Sequence, residues 1–438
     1  MHKKVLTLAV AGALAAPGLA LAQASVEVYG TLYPTFGRVK YGDGFTARSN
    51  AAAVAVPSMS KWDVQAPSSN FGVRGREGLG AGLTAWFQVE QNAPLEREAT
   101  QAVVVASRNS AAGIQGAFGN VFVGQWTTPW ADMDSLWAVG QVSVFGPVTS
   151  IIGRRETTGT APNPAAAITT VGNKACTTNL LTPGGVTVPA TGTPECDAVV
   201  GGGGVGHQFW RRASDMIRYT SPTFAGATFD LMYQVAELKS VTLGDGSGLN
   251  AEPSMWSGSL KWSGMGGRAR VGVAYDRHKD FTTIGKNDTG WAVKGGFNFG
   301  VADVGLAYER NKYQCGTMPQ GIGLPALCAS EGEITAKQYA VALSVPVGLG
   351  AVKAFYAKAK DMDGVITVSD TGAKEWGIGY EHRFSKRTSL GVEWAKIDNN
   401  RNAQFTWTGM PPNQRAQSNT VFFGSDINWT FVSMTHRF

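Results

Sequence analysis

From residue 25 onward the chain is written in short stretches that alternate apolar and polar residues. Val271, Val273 and Tyr275 alternate with Arg270, Gly272 and Ala274, and Val304, Leu306 and Tyr308 with Asp303, Gly305 and Ala307. Val352 and Tyr356 stand in the same relation to Lys353, and Leu390, Val392 and Trp394 to Gly391 and Glu393. A period of two places one set on each face of a β-strand. In a soluble sandwich the apolar set turns inward. Several features of this chain argue that it turns outward, toward lipid.

The first is the start. Lys3 and Lys4 precede the apolar run Val5 to Ala16, and Ala20-Leu21-Ala22 and Ala22-Gln23-Ala24 are both small-x-small sites. This is the pattern of a secretory signal peptide, too short to span a bilayer as a helix. Residues 1–24 are set aside on that reading, with cleavage after Ala22 or Ala24 left open. Residues 25–438 are expected to form one domain.

The second is composition. Gly numbers 56 residues and charged residues are 16%. No further apolar run reaches the roughly 20 residues of a membrane helix. An exported, Gly-rich, aromatic-rich chain with period-two patterning has the composition of a membrane β-barrel. The net charge of +6 includes Lys3 and Lys4 and is scattered singly through strands, so nucleic acid is not an expected partner.

Seven tight turns, among them Gly80-Ala81-Gly82, Met265-Gly266-Gly267 and Gly348-Leu349-Gly350, alternate with eight long polar stretches. The first long stretch is read as Tyr41 to Ser68, and the third spans 127–214. The count gives an all-β, 16-stranded antiparallel transmembrane β-barrel with short periplasmic turns and long external loops. Such a closure leaves a water-filled lumen, and in hydrocarbon only a helix or a closed sheet pairs every backbone polar group.

Face assignment follows from the alternation. It places Arg74, Arg76, Gln88, Glu90, Arg218, Arg270, Lys294, Lys353 and Arg383 in the lumen, because an outward Lys or Arg at the midplane costs about 2–4 kcal/mol. Gln125 is assigned to the wall as well. In the last strand Ile427, Trp429 and Phe431 lie opposite in phase to Val432 and Met434, so faces are left unassigned there. Four cysteines form two local pairs, Cys176 with Cys196 and Cys315 with Cys328, read as loop disulfides in an exported protein. No CxxC occurs, and neither metal nor cofactor is expected. The mature chain lacks GxSxG and HExxH, so an enzyme is not expected.

Five segments then resemble the general-diffusion porins of the Gram-negative outer membrane, of the β-proteobacterial type. VEVYGTLYPTFGRVK (Val26–Lys40) is similar to that family's first strand. SNFGVRGREGLGAGLTAWFQVEQ (Ser69–Gln91) is similar to the second and third, RNSAAGIQGAFGNVFVGQW (Arg108–Trp126) to the fourth and fifth, and IRYTSPTFAGATFDLMY (Ile217–Tyr233) to the sixth and seventh. MTHRF (Met434–Phe438) is similar to the closing strand with its terminal aromatic.

The resemblance implies a homotrimer in the outer membrane, among lipid and lipopolysaccharide, passing ions and small hydrophilic solutes by passive diffusion. It implies a third loop folded into the lumen, and a Phe438 read by the barrel-assembly machinery. Rings of charge set pore selectivity. The expected constriction therefore sets Asp132 and Asp134 of the third loop against Arg74, Arg76 and Arg218, with Arg38 a further candidate. The family often carries Arg after the Gly of the fifth strand, where this chain has Gln125. Only the first part of the long third loop, to about Arg155, resembles a constriction loop. A substrate-selective channel on the same fold, and a plugged barrel with an adhesive or structural role, stay open as alternatives.

Overall fold

The computed structural model describes residues 25–45, 53–66, 68–93, 95, 105–140, 151–152, 180–181, 187–188, 209–235, 241–242, 250–251, 254–280, 283, 285–316, 328–407 and 422–438. The leader and the Cys176/Cys196 pair lie outside the described residues.

The chain forms a closed 16-stranded antiparallel barrel. Strand β1 runs as Ser25–Leu32 and Thr35–Tyr41, and β2 as Met59–Gln65 and Asn70–Gly80. They are followed by β3 (Leu83–Asn92), β4 (Ser110–Gly116), β5 (Gly119–Thr127), β6 (Arg212–Thr220), β7 (Ala227–Gln234) and β8 (Ser254–Gly264). The second half holds β9 (Ala269–Lys279), β10 (Asn287–Asn298), β11 (Asp303–Cys315), β12 (Gly332–Val347), β13 (Gly350–Ala359), β14 (Ala373–Arg383), β15 (Thr388–Asn399) and β16 (Ile427–Arg437). Each strand pairs with its sequence neighbours, and β16 returns to β1 with Tyr41 opposite Ile427 and Thr35 opposite Ser433. The terminal residue completes the seam: Phe438 N–H donates to Gly30 O at 3.2 Å and Gly30 N–H to Phe438 O at 3.1 Å.

Two boundaries differ from the sequence expectation. The stretch Tyr41 to Ser68 is not wholly loop, since Met59–Gln65 pairs with Thr35–Tyr41. Its alternation is hidden because Lys61 and Asp63 face inward and pair with each other at 2.7 Å. Strand β16 begins at Ile427 rather than Val421. The tight turns are the expected ones. At the first, Gly80, Ala81 and Gly82 all take left-handed φ values of 84°, 49° and 78°, the backbone that favours glycine in a short hairpin.

Outward faces carry Val, Leu, Ile and Phe, exposed because the surrounding solvent is lipid. The buried residues lie inside the barrel. One apolar cluster joins Val39, Tyr41, Phe355, Ile397, Trp429 and Phe431 of the wall to Trp137, Ile151, Ile152, Phe405 and Trp407 of the loops. This accounts for the blurred last strand. Ile427, Trp429 and Phe431 face inward against folded-in loops, while Val432 and Met434 face out. Cys315 and Cys328 form a disulfide with Cα atoms 5.7 Å apart, buried beside Tyr313, Ile334 and Met362.

Candidate pore lumen and constriction

The third loop turns inward directly after β5. Thr128 caps a short helix, α1 (Pro129–Asp132), by accepting from Ala131 N–H at 3.2 Å, and Pro129 at its first turn lacks the amide that would otherwise need a partner. A single 3-10 turn, Met133–Leu136, continues it. This segment packs along the inner wall of β8, β9 and β10.

The wall is shaped to receive it. A Cβ at Gly305 would stand 1.8 Å from Trp137 O, one at Gly296 2.8 Å from Leu136 O, and one at Gly272 2.7 Å from Leu136 Cδ1. These three glycines lie on the inward faces of adjacent strands. They form a shelf on which the loop backbone lies closer than any side chain would allow.

Charges fix the loop to that shelf. Lys294 Nζ lies 2.6 Å from Asp134 and 2.7 Å from Glu309, all three buried. Trp137 Nε1 and Trp210 Nε1 also donate to Asp134, at 2.9 and 2.5 Å, and Trp130 Nε1 donates to Glu309 at 3.2 Å. Arg218 on β6 bridges Asp132 of the loop at 2.6 Å and Asp230 of β7 at 2.7 Å, and Lys261 reaches the other oxygen of Asp230 at 2.9 Å. A buried ion set of this kind holds only while every member is matched. Just before β6, burial pushes the Arg211 guanidinium down to about 10, opposed by the charge of Asp276.

Among the expected constriction residues, Arg218 thus meets Asp132. Asp134 meets Lys294. Arg74 lies on the inward face of β2 but pairs with Glu27 of β1 at 3.0 Å and covers the Tyr29 ring at 4.7 Å. Arg76 is exposed at the turn end of β2 and makes no ion pair among the described residues. The structure brings neither Arg74 nor Arg76 into contact with the loop acids.

Two assignments are corrected. Arg38 faces outward. In β1 the odd positions Tyr33, Val39 and Tyr41 are buried inside, so Phe36, Arg38 and Lys40 point to the outer surface. There Phe36 stacks on Trp62 at 5.3 Å and Arg38 donates to Ser60 Oγ at 3.0 Å. Gln125 also leaves the lumen. It shares the parity of the exposed Val121 and Val123, and its amide donates to the carbonyls of Ala106 and Arg108 at 3.2 and 3.1 Å.

The remaining wall residues face inward. Gln88 donates to Asn109 O at 2.9 Å, and Glu90 pairs with Arg108 at 2.6 Å. Arg270 pairs with Asp303 at 2.7 Å and donates to Leu136 O at 3.2 Å. Lys353 pairs with Glu381. Arg383 lies exposed at the turn end.

Sequence reasoning passed over Glu27 and Asp230, although alternation with Val26 and Phe229 puts each on the inward face, and the blurred last strand hid Arg437, which shares the inward parity of Phe431 and Ser433. It also missed Glu375. One oxygen of its carboxylate accepts from Ile151 N–H at 2.8 Å and the other from Trp407 Nε1 at 2.5 Å, tying two loops to one wall residue. No local pattern marks that role.

A family model described as Gram-negative porin matches residues 7–402. The chain belongs to that family. Its curated relative, outer membrane porin protein 32 of Delftia acidovorans, is 25% identical over 405 residues, 91% of this chain and 90% of the relative. An anion-selective porin from Comamonas acidovorans superimposes with a TM-score of 0.62 at 20% identity, covering 95% of this chain and all of that one. Salmonella typhi OmpF superimposes with a TM-score of 0.52 at 14% identity, over 94% of this chain and 97% of that one. The porin therefore resides in the bacterial outer membrane and forms a diffusion channel through it. Porins are channel proteins rather than enzymes.

Proposed function

We propose that this porin is an anion-preferring pore for small hydrophilic solutes, assembled as a homotrimer. The observation that carries the preference is the pattern of lumen charges left over after pairing. Arg218, Lys261, Asp132 and Asp230 neutralise one another, as do Arg74 with Glu27, Arg270 with Asp303, Arg108 with Glu90 and Lys353 with Glu381. Lys294 is shared between Asp134 and Glu309, and both of these acids, like Glu393, are buried. Arg76, Arg383 and Arg437 are exposed on the inward face at the turn end, without an ion pair among the described residues. A rim of one sign focuses counter-charged solutes into the opening. The solved porin of Comamonas acidovorans is itself described as anion-selective.

The third loop would narrow the passage from one side, with Asp132 and Asp134 serving as its anchors and Arg218 and Lys294 as their wall partners. Lipopolysaccharide is the proposed lipid neighbour, and the barrel-assembly machinery the proposed reader of Phe438.

Swelling of liposomes that carry the protein tests the preference. Gluconate should enter faster than a cationic solute of the same size. Equal or reversed rates would refute it. Closure of bilayer currents in three equal steps tests the trimer.

A second reading has one observation in its favour. The cluster of Trp407, Phe405, Ile151 and Trp429 fills part of the lumen. A plugged barrel with a structural or adhesive role would follow if the folded protein admitted no solute.

A further inference from the structure

Three apolar clusters line the inside of the barrel, and two of them are closed by folded-in loop residues. Trp137, Ile151 and Trp407 complete one, and Trp130, Leu136 and Phe209 another. The third holds wall residues alone among the described residues: Phe122, Met216, Met232 and Met255, with Trp86 and Trp126 packed against them. Its rings meet edge to face, Trp86 with Phe122 at 5.3 Å, Trp86 with Trp126 at 5.9 Å and Phe122 with Trp126 at 5.3 Å. Trp86 and Trp126 are half-buried. The lumen face of a water-filled barrel is ordinarily polar, so an aromatic patch left open on it points to a solute that covers it in transit.

Local geometry lays the Trp86 indole along the wall. A Cβ at Gly113 of the next strand would stand 2.9 Å from Trp86 Nε1, so the ring lies across that glycine. Its N–H donates to Asn120 Oδ1, one strand further, at 2.8 Å. With the N–H taken, the open part of the ring offers carbon and its π face. Two other inward rings on this wall already carry a guanidinium: Arg74 covers Tyr29 at 4.7 Å and Arg218 covers Phe122 at 5.7 Å. Trp86 carries none among the described residues, although Arg76 is its direct partner in register. Arg76 is exposed and makes no ion pair among the described residues. Directly opposed residues of a sheet have Cβ atoms about 5 Å apart. An uncovered aromatic surface and an uncompensated cation thus stand side by side at the turn end of the lumen.

We propose that Trp86 and Arg76 form a transit site for aromatic carboxylates, so that the pore favours them over aliphatic anions of equal charge and similar size. The carboxylate takes the Arg76 fork in a charge-assisted pair, and the ring lies against the Trp86 indole. An inorganic anion uses only the first contact, and a neutral aromatic only the second. Water surrounds both groups, so the site binds weakly, as a conducting path requires. The proposal rests on the anion preference proposed above and names the class of anion.

The test is block of the single-channel potassium chloride current at neutral pH by sodium benzoate and by sodium cyclohexanecarboxylate, which match in charge and nearly in size. Benzoate should block the wild type at a roughly twofold to tenfold lower concentration. Trp86→Leu should remove that difference, and Trp86→Phe should keep part of it. Arg76→Ser should weaken block by both acids while benzoate stays the stronger. Equal block by the two acids in the wild type would overturn the proposal. So would a Trp86→Leu pore that still prefers benzoate as the wild type does, or an Arg76→Ser pore blocked by both acids as before. The reversal potential in potassium chloride alone reads ion preference separately. A chloride-preferring pore that does not distinguish the two acids loses the Trp86 site and keeps the anion reading. In a potassium-preferring pore the anion reading falls, and the ratio of the two acids decides the site by itself.

Discussion

Lys294 on the barrel wall reaches Asp134 of the inward-folded loop across 2.6 Å, and neither side chain is open to solvent. With Glu309 at 2.7 Å on its other side, one cation holds two carboxylates. The loop is fastened where the wall offers charge and rests where it offers glycine.

Lys294→Met should release the loop while leaving the barrel closed. Removing the cation strands two buried carboxylates, a cost of about 3–5 kcal/mol. The strand ladder does not depend on the pair, so the loss falls on loop docking. Single-channel recording should show larger mean conductance and more current noise, and heat-modifiable mobility on gels should stay as in the wild type.

Gly305→Ala should act on the same loop by a steric route. The added methyl would overlap Trp137 O at 1.8 Å and push the loop toward the lumen axis. Conductance should fall. Gly78→Ala is the control, because a Cβ there meets nothing within 4 Å.

Cys315→Ser/Cys328→Ser should loosen one external loop without altering the pore. The bond closes a segment of 13 residues, and a loop near that size gains about 3 kcal/mol from its crosslink. Limited proteolysis between Gly316 and Glu331 should accelerate in the variant, with unchanged conductance.

Phe438→Ala should reduce the yield of folded protein. The terminal backbone closes the seam on Gly30, and the ring lies against the space where a Gly30 side chain would stand. The fraction of heat-modifiable protein in outer-membrane preparations measures the effect. A normal yield would count against the packing of the ring at Gly30 and against the proposed assembly signal.

Much of the fold was legible in the sequence because lipid and lumen demand opposite chemistry on alternate residues. Val271, Val273 and Tyr275 face out, and Arg270 and Lys294 face in, for that reason alone. The rule weakened where solvent was neither lipid nor water. Trp429 and Phe431 face inward against Trp407 and Tyr41, so β16 is apolar on both faces. Arg38, named for the constriction by residue type, is outward by the same alternation, with Val39 and Tyr41 inside and Trp62 directly opposite. At Gln125 the residue type was followed although its parity with Val121 and Val123 pointed outward.

The pairing of charges was less legible than their faces. Alternation puts Arg74 and Glu27 on one surface, but their opposition depends on the register of β1 against β2. The choice of Lys294 for Asp134 depends on where the loop lands. That landing is set by Gly272, Gly296 and Gly305 on three separate strands, and no local motif announces it.

The most direct test of the account is the reversal potential of the wild-type channel under a potassium chloride gradient, measured beside Arg76→Ser/Arg383→Ser. The wild type should reverse on the chloride side of zero, and the double variant should move toward zero or past it. A wild-type channel that prefers potassium, or a variant with an unchanged reversal potential, would contradict the assignment of the uncompensated arginine rim as the source of selectivity.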